Sequence, residues 1–406
     1  MKAALRTLLV LLVVGLVEIA APATAADDGT VGKEKYTPPL GAVFASPLNG
    51  HGRDILSQVF HSIQASPKGS EIRLVVWNFD DPAITNALID AKDRGVQVQV
   101  VVAETVANRN FFRLRDYLGR NPADKSFAIR CHNSCRSNRF VMHSKIFLFS
   151  HVGKRRNISM FGSTNLTKAA GNRQWNDQTT TSNKDLYDFF VRTFKEYAAD
   201  TPVSTGNDVY DNGRYHVVLF PVPDYNPIAE ALSKVGCHSA EKDRTVVRIA
   251  VAGWFDEFGL RIAQQVRRLW DNGCDVRIVT TLAGHKINRV LRRRGVRGRV
   301  PIRQVTIDND HDGVPERYMH MKSIAVDGKY DGDPRRQMLF TGSPNWSGEA
   351  RASDEVWVEV RDAKELVKDY SRFVDQMFFG PAAHGRVQAM RRPAQRTSGD
   401  PGYELS

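Results

Sequence analysis

The chain has 406 residues, of which 42% are hydrophobic and 25% charged, a balance that buries a large core and excludes disordered and fibrous chains. A formal net charge of +12 implies attraction to polyanions, whether anionic lipid surfaces or nucleic acid, without choosing between them.

In chain order, residues 1–25 carry a basic start (Lys2, Arg6), an apolar run over 8–17 and the triplet Ala23-Thr24-Ala25. This is the pattern of a removed signal peptide and predicts a secreted, extracellular protein. A membrane anchor is the rival reading, but Glu18 and Pro22 interrupt the run well short of the roughly 20 apolar residues of a spanning helix. Residues 26–39 read as loose. Residues 72–102 give an apolar strand, a turn at Asp80-Asp81-Pro82, a helix and, after Gly95, a second strand. Residues 246–280 repeat that order, with Phe255-Asp256 standing where Phe79-Asp80 stands in the first. Strands alternating with helices at this spacing predict an α/β protein of two similar βα-repeat lobes, over 40–200 and 215–380, with parallel-rich sheets buried on both faces. Pro82 directly after Asp81 suits a capped helix start. The segment 201–214, rich in Asp, Asn, Gly and Thr, is the expected linker, and 382–406 reads as a disordered basic tail. The densest basic run, 289–299 with Arg292, Arg293 and Arg294 at its centre, reads as a solvated helix face.

Export makes the four cysteines candidates for disulfides. Cys131 and Cys135 can close a small loop, and Cys237 and Cys274 flank a strand and helix; of three possible pairings these local ones are preferred. Zinc on Cys131, Cys135 and His132 or His143 is the alternative, although structural zinc sites usually show a second ligand pair.

The chemistry is concentrated in one pattern that occurs twice: His143, Lys145, then Gly162, Ser163 and Asn165; and His320, Lys322, then Gly342, Ser343 and Asn345. Histidine and serine are 20 residues apart in the first copy and 23 in the second. On a strand, residues two apart share a face, so each histidine is expected to project with its lysine. Gly162, lacking a side chain, is expected to let the backbone approach a phosphate closely. One neutral imidazole can attack phosphorus while a second, protonated one gives its proton to the leaving oxygen. Two lysines with the Ser and Asn donors can hold the non-bridging oxygens as their charge grows. Such a site predicts chemistry with no metal ion and no cofactor.

With these residues in place the chain resembles a two-motif member of the phospholipase D superfamily over about residues 45–379. The resemblance rests on His143, Lys145, Gly162, Ser163, Asn165, His320, Lys322, Asp327, Gly342, Ser343 and Asn345. It implies two mixed-sheet lobes packed face to face as a sandwich, one active site at their interface, and a phosphohistidine intermediate with His143 as nucleophile and His320 as acid and base. Where the family places Asp five residues after the motif lysine, the second copy has Asp327 but the first has Ser150, and the first carries extra residues over 151–157; altered local packing is expected there. A carboxylate or amide that orients a histidine is matched by Glu355 in the second copy and by Asn176 or Asp177 in the first.

Asp308, Asp310, Asp312 and Gly313 spell the opening of a calcium loop, but Met319 stands where a bidentate Glu is required, so an acidic loop near the site mouth is the preferred reading. The resemblance leads to a secreted phospholipase D, hydrolysing glycerophospholipids at a membrane or micelle surface and exchanging their head groups, as a monomer. Trp346 in the second motif supports it, as do Trp77, Phe79, Trp254 and Phe255, which are placed to meet acyl chains or to fill the core. A secreted nuclease is the second reading, and a non-catalytic protein binding anionic lipid or nucleic acid the third.

Overall fold

The computed structural model describes residues 36–106, 108–137, 139–203, 208–222, 224–238, 244–385 and 387; the expected export signal and most of the expected tail lie outside them. The first half runs β1 (Gly41–Ala45), α1 (Asp54–Ala65), β2 (Glu71–Val76), α2 (Pro82–Asp93), β3 (Gln97–Ala103), α3 (Arg109–Leu118), β4 (Phe127–Cys131), β5 (Lys145–Val152), β6 (Arg155–Gly162), α4 (Lys168–Asn172), β7 (Gln174–Thr181) and α5 (Lys184–Ala199). The second runs β8 (Asp208–Asp211), β9 (Tyr215–Leu219), α6 (Pro227–Ser233), β10 (Val246–Trp254), α7 (Asp256–Asp271), β11 (Asp275–Ala283), α8 (His285–Arg292), β12 (Ile302–Ile307), β13 (Arg317–Met319), β14 (Lys322–Tyr330), β15 (Asp333–Gly342), α9 (Gly348–Ala352), β16 (Val356–Val360), α10 (Lys364–Phe379) and β17 (Ala383–His384).

Each half builds the same sheet. Its order is β1-β7-β6-β5-β2-β3-β4 in the first and β9-β16-β15-β14-β10-β11-β12 in the second. Only the βαβ portions, β2-β3-β4 and β10-β11-β12, are parallel, so the sheets are mixed and less parallel-rich than the strand-helix alternation predicts. The motif hairpins β5-β6-β7 and β14-β15-β16 need no crossover helix and therefore pair antiparallel.

The sheets face each other across α5 and α10. Leu186, Phe190, Phe194 and Tyr197 from one helix and Tyr370, Phe373, Val374 and Met377 from the other join inward residues of both sheets in one apolar core. Separate cores fill the outer faces, under α1 to α3 in the first lobe and under α6 to α8 in the second. At one end β13 crosses between the lobes, pairing with β12 and with β7.

Local signals explain the boundaries. Asp81 caps α2, its carboxylate accepting from the N–H groups of Ala83 and Ile84 with Pro82 in the first turn, which satisfies orphan donors. Ser150 Oγ accepts from the N–H of Glu71 at 2.8 Å, whereas Asp327 at the matching place of β14 accepts from Gln337 at 3.1 Å. Within the expected linker, Asp208–Asp211 forms a strand. Residues 382–385 do not begin a loose tail, because β17 pairs with the free edge of β12 and Ala382 and Val387 are buried. Residues 36–39 are also fastened: Pro39 O accepts from Gln58 and Thr37 Oγ1 from the N–H of Lys154. Among the described residues no helix is long and apolar enough to cross a membrane.

Disulfides join Cys131 to Cys135 and Cys237 to Cys274, the local pairings expected. Both sulfurs of the zinc alternative are thereby committed to a covalent bond. Replacing Cys237 and Cys274 by serine is expected to lower stability by about 4 kcal/mol through lost loop-closure restraint over a separation of 37 residues, seen as a lower urea midpoint.

Candidate active site

The two motifs arrive at the same end of the facing sheets. Lys145 and Lys322 are the first residues of β5 and β14, so each histidine lies just before its strand and not on it, correcting the expectation of a shared strand face. The lysines instead turn back. Lys145 Nζ donates to His143 O at 2.5 Å and Lys322 Nζ to His320 O at 2.7 Å. Lys322 Nζ also stands 3.0 Å from His320 Nε2.

The Gly-Ser-x-Asn turns brace this arrangement. A Cβ on Gly162 would fall 2.3 Å from Asp177 O, and one on Gly342 2.0 Å from Val356 O. The glycines therefore admit the neighbouring strand of their own sheet, which corrects the reading of Gly162 as an opening for phosphate. Ser163 Oγ donates to Asn176 Oδ1 at 2.9 Å and accepts from the N–H of Asp177, while Ser343 Oγ accepts from the N–H of Val356. Asn165 Oδ1 accepts from the N–H of Asn78, and Asn345 Oδ1 from that of Gly253; these oxygens hold the loop that follows β2 and the C-terminal end of β10.

Each histidine is held by the opposite lobe. The N–H of His143 donates to Asp354 O at 2.9 Å, and the N–H of Asp354 donates to Val141 O at 3.0 Å. His143 Nδ1 lies 2.8 Å from Glu355 Oε1. Reciprocally, the N–H of His320 donates to Trp175 O at 2.9 Å, and His320 Nδ1 lies 3.0 Å from Asn176 Oδ1. Asn176 Nδ2 donates to Gln174 Oε1, which fixes the amide with its oxygen toward the ring. Facing acceptor oxygens, both rings carry hydrogen on Nδ1 when neutral and present the Nε2 lone pair. Of the first-copy candidates, Asn176 is the histidine partner. Asp177 instead accepts from Thr341 and Tyr370 across the interface.

Electrostatics set the state of the first ring. Burial first, and then the ammonium groups of Lys145 and Lys322, hold the His143 pKa well below its ordinary value. Burial pushes Glu355 up to about 7 against the pull of the same two lysines. Lys322 belongs to the second motif, so its field on His143 and Glu355 places both half-sites in one electrostatic pocket. His143 Nε2 is buried without a hydrogen-bond partner among the described residues, and the Trp77 ring meets the imidazole edge to face at 5.2 Å.

Several neighbours have no sequence signature. Asp354 Oδ2 accepts from the N–H of Arg136 at 3.0 Å, and the buried Arg136 guanidinium pairs with Glu196 and Asp208, so the disulfide loop before His143 is fastened to the second lobe. Asp354 is pushed up to about 7 by burial, against the Arg136 N–H and guanidinium. The aromatics named as possible acyl contacts divide: Trp77, Phe79 and Trp254 are core residues, Trp254 packing on the buried Trp346 at 4.7 Å, and Phe255 alone is partly exposed.

In the acidic loop, ligand oxygens of Asp308, Asp310 and Glu316 lie within 4.8 Å of one another, with Glu316 in place of any twelfth-position ligand. Asp312 turns away to accept from the N–H of Val314.

The geometry agrees with what the chain is similar to. Residues 60–198 and 244–378, one stretch per lobe, match the family model described as cardiolipin synthase, PLD-like domain. Phosphatidylserine synthase from Haemophilus influenzae superposes with a TM-score of 0.57 at 13% identity, covering 85% of this chain and 87% of that one. Polyphosphate kinase from Porphyromonas gingivalis superposes at 0.53 and 14% identity, covering 88% of this chain but 53% of the kinase, so the chain spans about half of that protein's length. Nuc from Salmonella typhimurium, a phospholipase D family member, aligns with 38% of the chain at 23% identity and a TM-score of 0.30. No curated protein matches the sequence. Two matched stretches that span most of the folded chain, each carrying one histidine and one lysine to the interface between the lobes, lead to one conclusion: the chain belongs to the PLD-like domain family, within the phospholipase D superfamily of phosphodiesterases and phospholipid-modifying enzymes.

Proposed function

We propose that the chain is a secreted phospholipase D that hydrolyses glycerophospholipids, and exchanges their head groups when an alcohol is present, through a phosphohistidine on His143. The observation that carries this reading is the buried, unpartnered Nε2 of a neutral His143, with Nδ1 tied to Glu355. In the first step the Nε2 lone pair forms the N–P bond and the bond from phosphorus to the head-group oxygen breaks. His320, protonated at Nε2 once the phosphate draws Lys322 toward its own oxygens, gives that proton to the leaving alkoxide. In the second step His320 takes a proton from water, the water oxygen bonds to phosphorus, and the N–P bond breaks to release phosphatidic acid. An alcohol in place of water gives a phosphatidyl alcohol.

Lys145 and Lys322 supply the positive charge that the equatorial oxygens meet in the transition state, so no step calls for a metal ion. Ser163, Asn165, Ser343 and Asn345 serve by bracing the strand ends. One chain supplies both half-sites, which fits action as a monomer, and two disulfides fit an oxidising compartment outside the cytoplasm.

A secreted nuclease is the second reading, favoured by Arg293, Arg294 and Arg299, exposed at one end of α8 in a chain of net charge +12. Incubation with phosphatidylcholine and ethanol is expected to yield phosphatidylethanol. Plasmid nicking in the presence of chelator, without phosphatidylethanol, would instead establish the nuclease, and binding of either substrate without turnover would establish the non-catalytic reading.

A further inference from the structure

Beside the candidate active site lies a cavity of about 950 Å³ between the lobes. Ala42, Val43 and Phe44 of β1 and Trp175 of β7 wall it from the first lobe; Val305 of β12, Phe373 and Met377 of α10 and the turn Gly380-Pro381-Ala382 wall it from the second. Phe44 and Phe373 stack on each other at 4.3 Å, closing one side of it. Four of its polar lining residues, Ser46, Asn49, His51 and Asp54, come from the single segment that follows β1. Ala45 is paired with Asn176, so this polar segment leaves β1 level with the residue that holds His320. Trp175 lines the cavity while its carbonyl holds the N–H of His320 and its backbone pairs with β13.

We propose that this cavity binds one long fatty-acyl chain of the substrate lipid. A cavity of this size, apolar on the β1, β7 and β12 walls and polar along the segment 46–54 and at Gln376 of α10, matches an amphiphile, with its tail among the aromatic and aliphatic walls and its ester region beside residues 46–54. A nucleotide or sugar would strand its polar atoms against Phe44, Val305 and Met377. Large apolar side chains stand exposed close by in the chain: Phe379, next to the lining residue Gly380, is 70% exposed, and Leu40, two residues before the lining residue Ala42, is 45% exposed. Such side chains suit a lipid surface from which a chain is drawn.

The inference rests on the phospholipid reading and is tested apart from it. Full-length protein is titrated with a fluorescent long-chain fatty acid, which is expected to bind at one site. Ala42→Trp and Met377→Trp, which fill the chamber from opposite walls, are each expected to weaken that binding at least tenfold. They should also lower turnover of a long-chain phosphatidylcholine tenfold relative to the dihexanoyl lipid, while hydrolysis of bis(p-nitrophenyl) phosphate and the melting temperature stay as in the parent. Probe binding that neither filling variant weakens, or no probe binding by the parent, overturns the acyl site. Probe binding that the variants abolish, in a protein that cleaves no phospholipid, overturns the proposed function and leaves the acyl site standing.

Discussion

Replacing His143 or His320 with alanine is expected to lower turnover of any phosphodiester substrate by at least about 10⁴-fold, and the double replacement to be no slower than either alone, because groups that act as one unit lose their effect together. In the proposed reaction His143 forms the bond to phosphorus and His320 moves the proton in both steps, so neither can cover for the other. The fold should survive. Alanine at 143 leaves Glu355 without its 2.8 Å partner, but a carboxyl already pushed up to about 7 escapes an unpaired charge by taking a proton, which limits the cost to about 1–3 kcal/mol. Circular dichroism and thermal melts separate lost chemistry from lost structure. Near-normal activity in either single variant would reject the paired-imidazole mechanism.

Glu355→Gln carries the second large effect. In the proposed reaction the Glu355 carboxylate, above pH 7, holds the proton on Nδ1 of His143 and stabilises the charge that the ring acquires as Nε2 bonds to phosphorus. As pH falls through about 7 the carboxylate is neutralised, and the rate is expected to fall with it. Glutamine keeps an acceptor oxygen but no charge, so the variant should lose about 10²-fold of its plateau rate and also lose this acid limb. The linkage to stability has a definite sign. A folded-state pKa above the unfolded value means that Glu355 favours the folded state fully below the unfolded value of 4.5 and that this contribution is lost as pH rises to about 7. The parent minus variant difference in unfolding free energy should therefore decline over that interval. An acid limb that persists unchanged in Glu355→Gln would remove Glu355 from the mechanism.

Much of this is legible in the sequence. Apolar runs bounded by Asp80-Asp81-Pro82 and by Gly95 mark β2, α2 and β3 because capping and strand burial are local effects, written where they act. The doubled His-x-Lys and Gly-Ser-x-Asn patterns reveal two half-sites because both copies descend to the same strand ends. Pairing between the halves is another matter. Nothing near His143 in the sequence points to Glu355, 212 positions away, and Asp354 acts largely through its backbone, which any residue type possesses. Gly162 misleads for a similar reason: the pattern shows that space is needed, not what fills it. Trp77 and Trp254 were ambiguous because an aromatic at a strand end suits the interior and a lipid contact equally, and only burial decides.

The crossed support of the two histidines sets a condition on how the site can be specialised. Were the lobes two copies of one shorter chain, related by a twofold axis, a change beside one ring would appear beside the other, and both would have to keep a carboxylate or both an amide. Here a single polypeptide carries Glu355 against His143 and Asn176 against His320. A single chain can therefore set a different charge beside each ring before any substrate arrives, whereas identical halves differ only once an asymmetric ligand is bound between them.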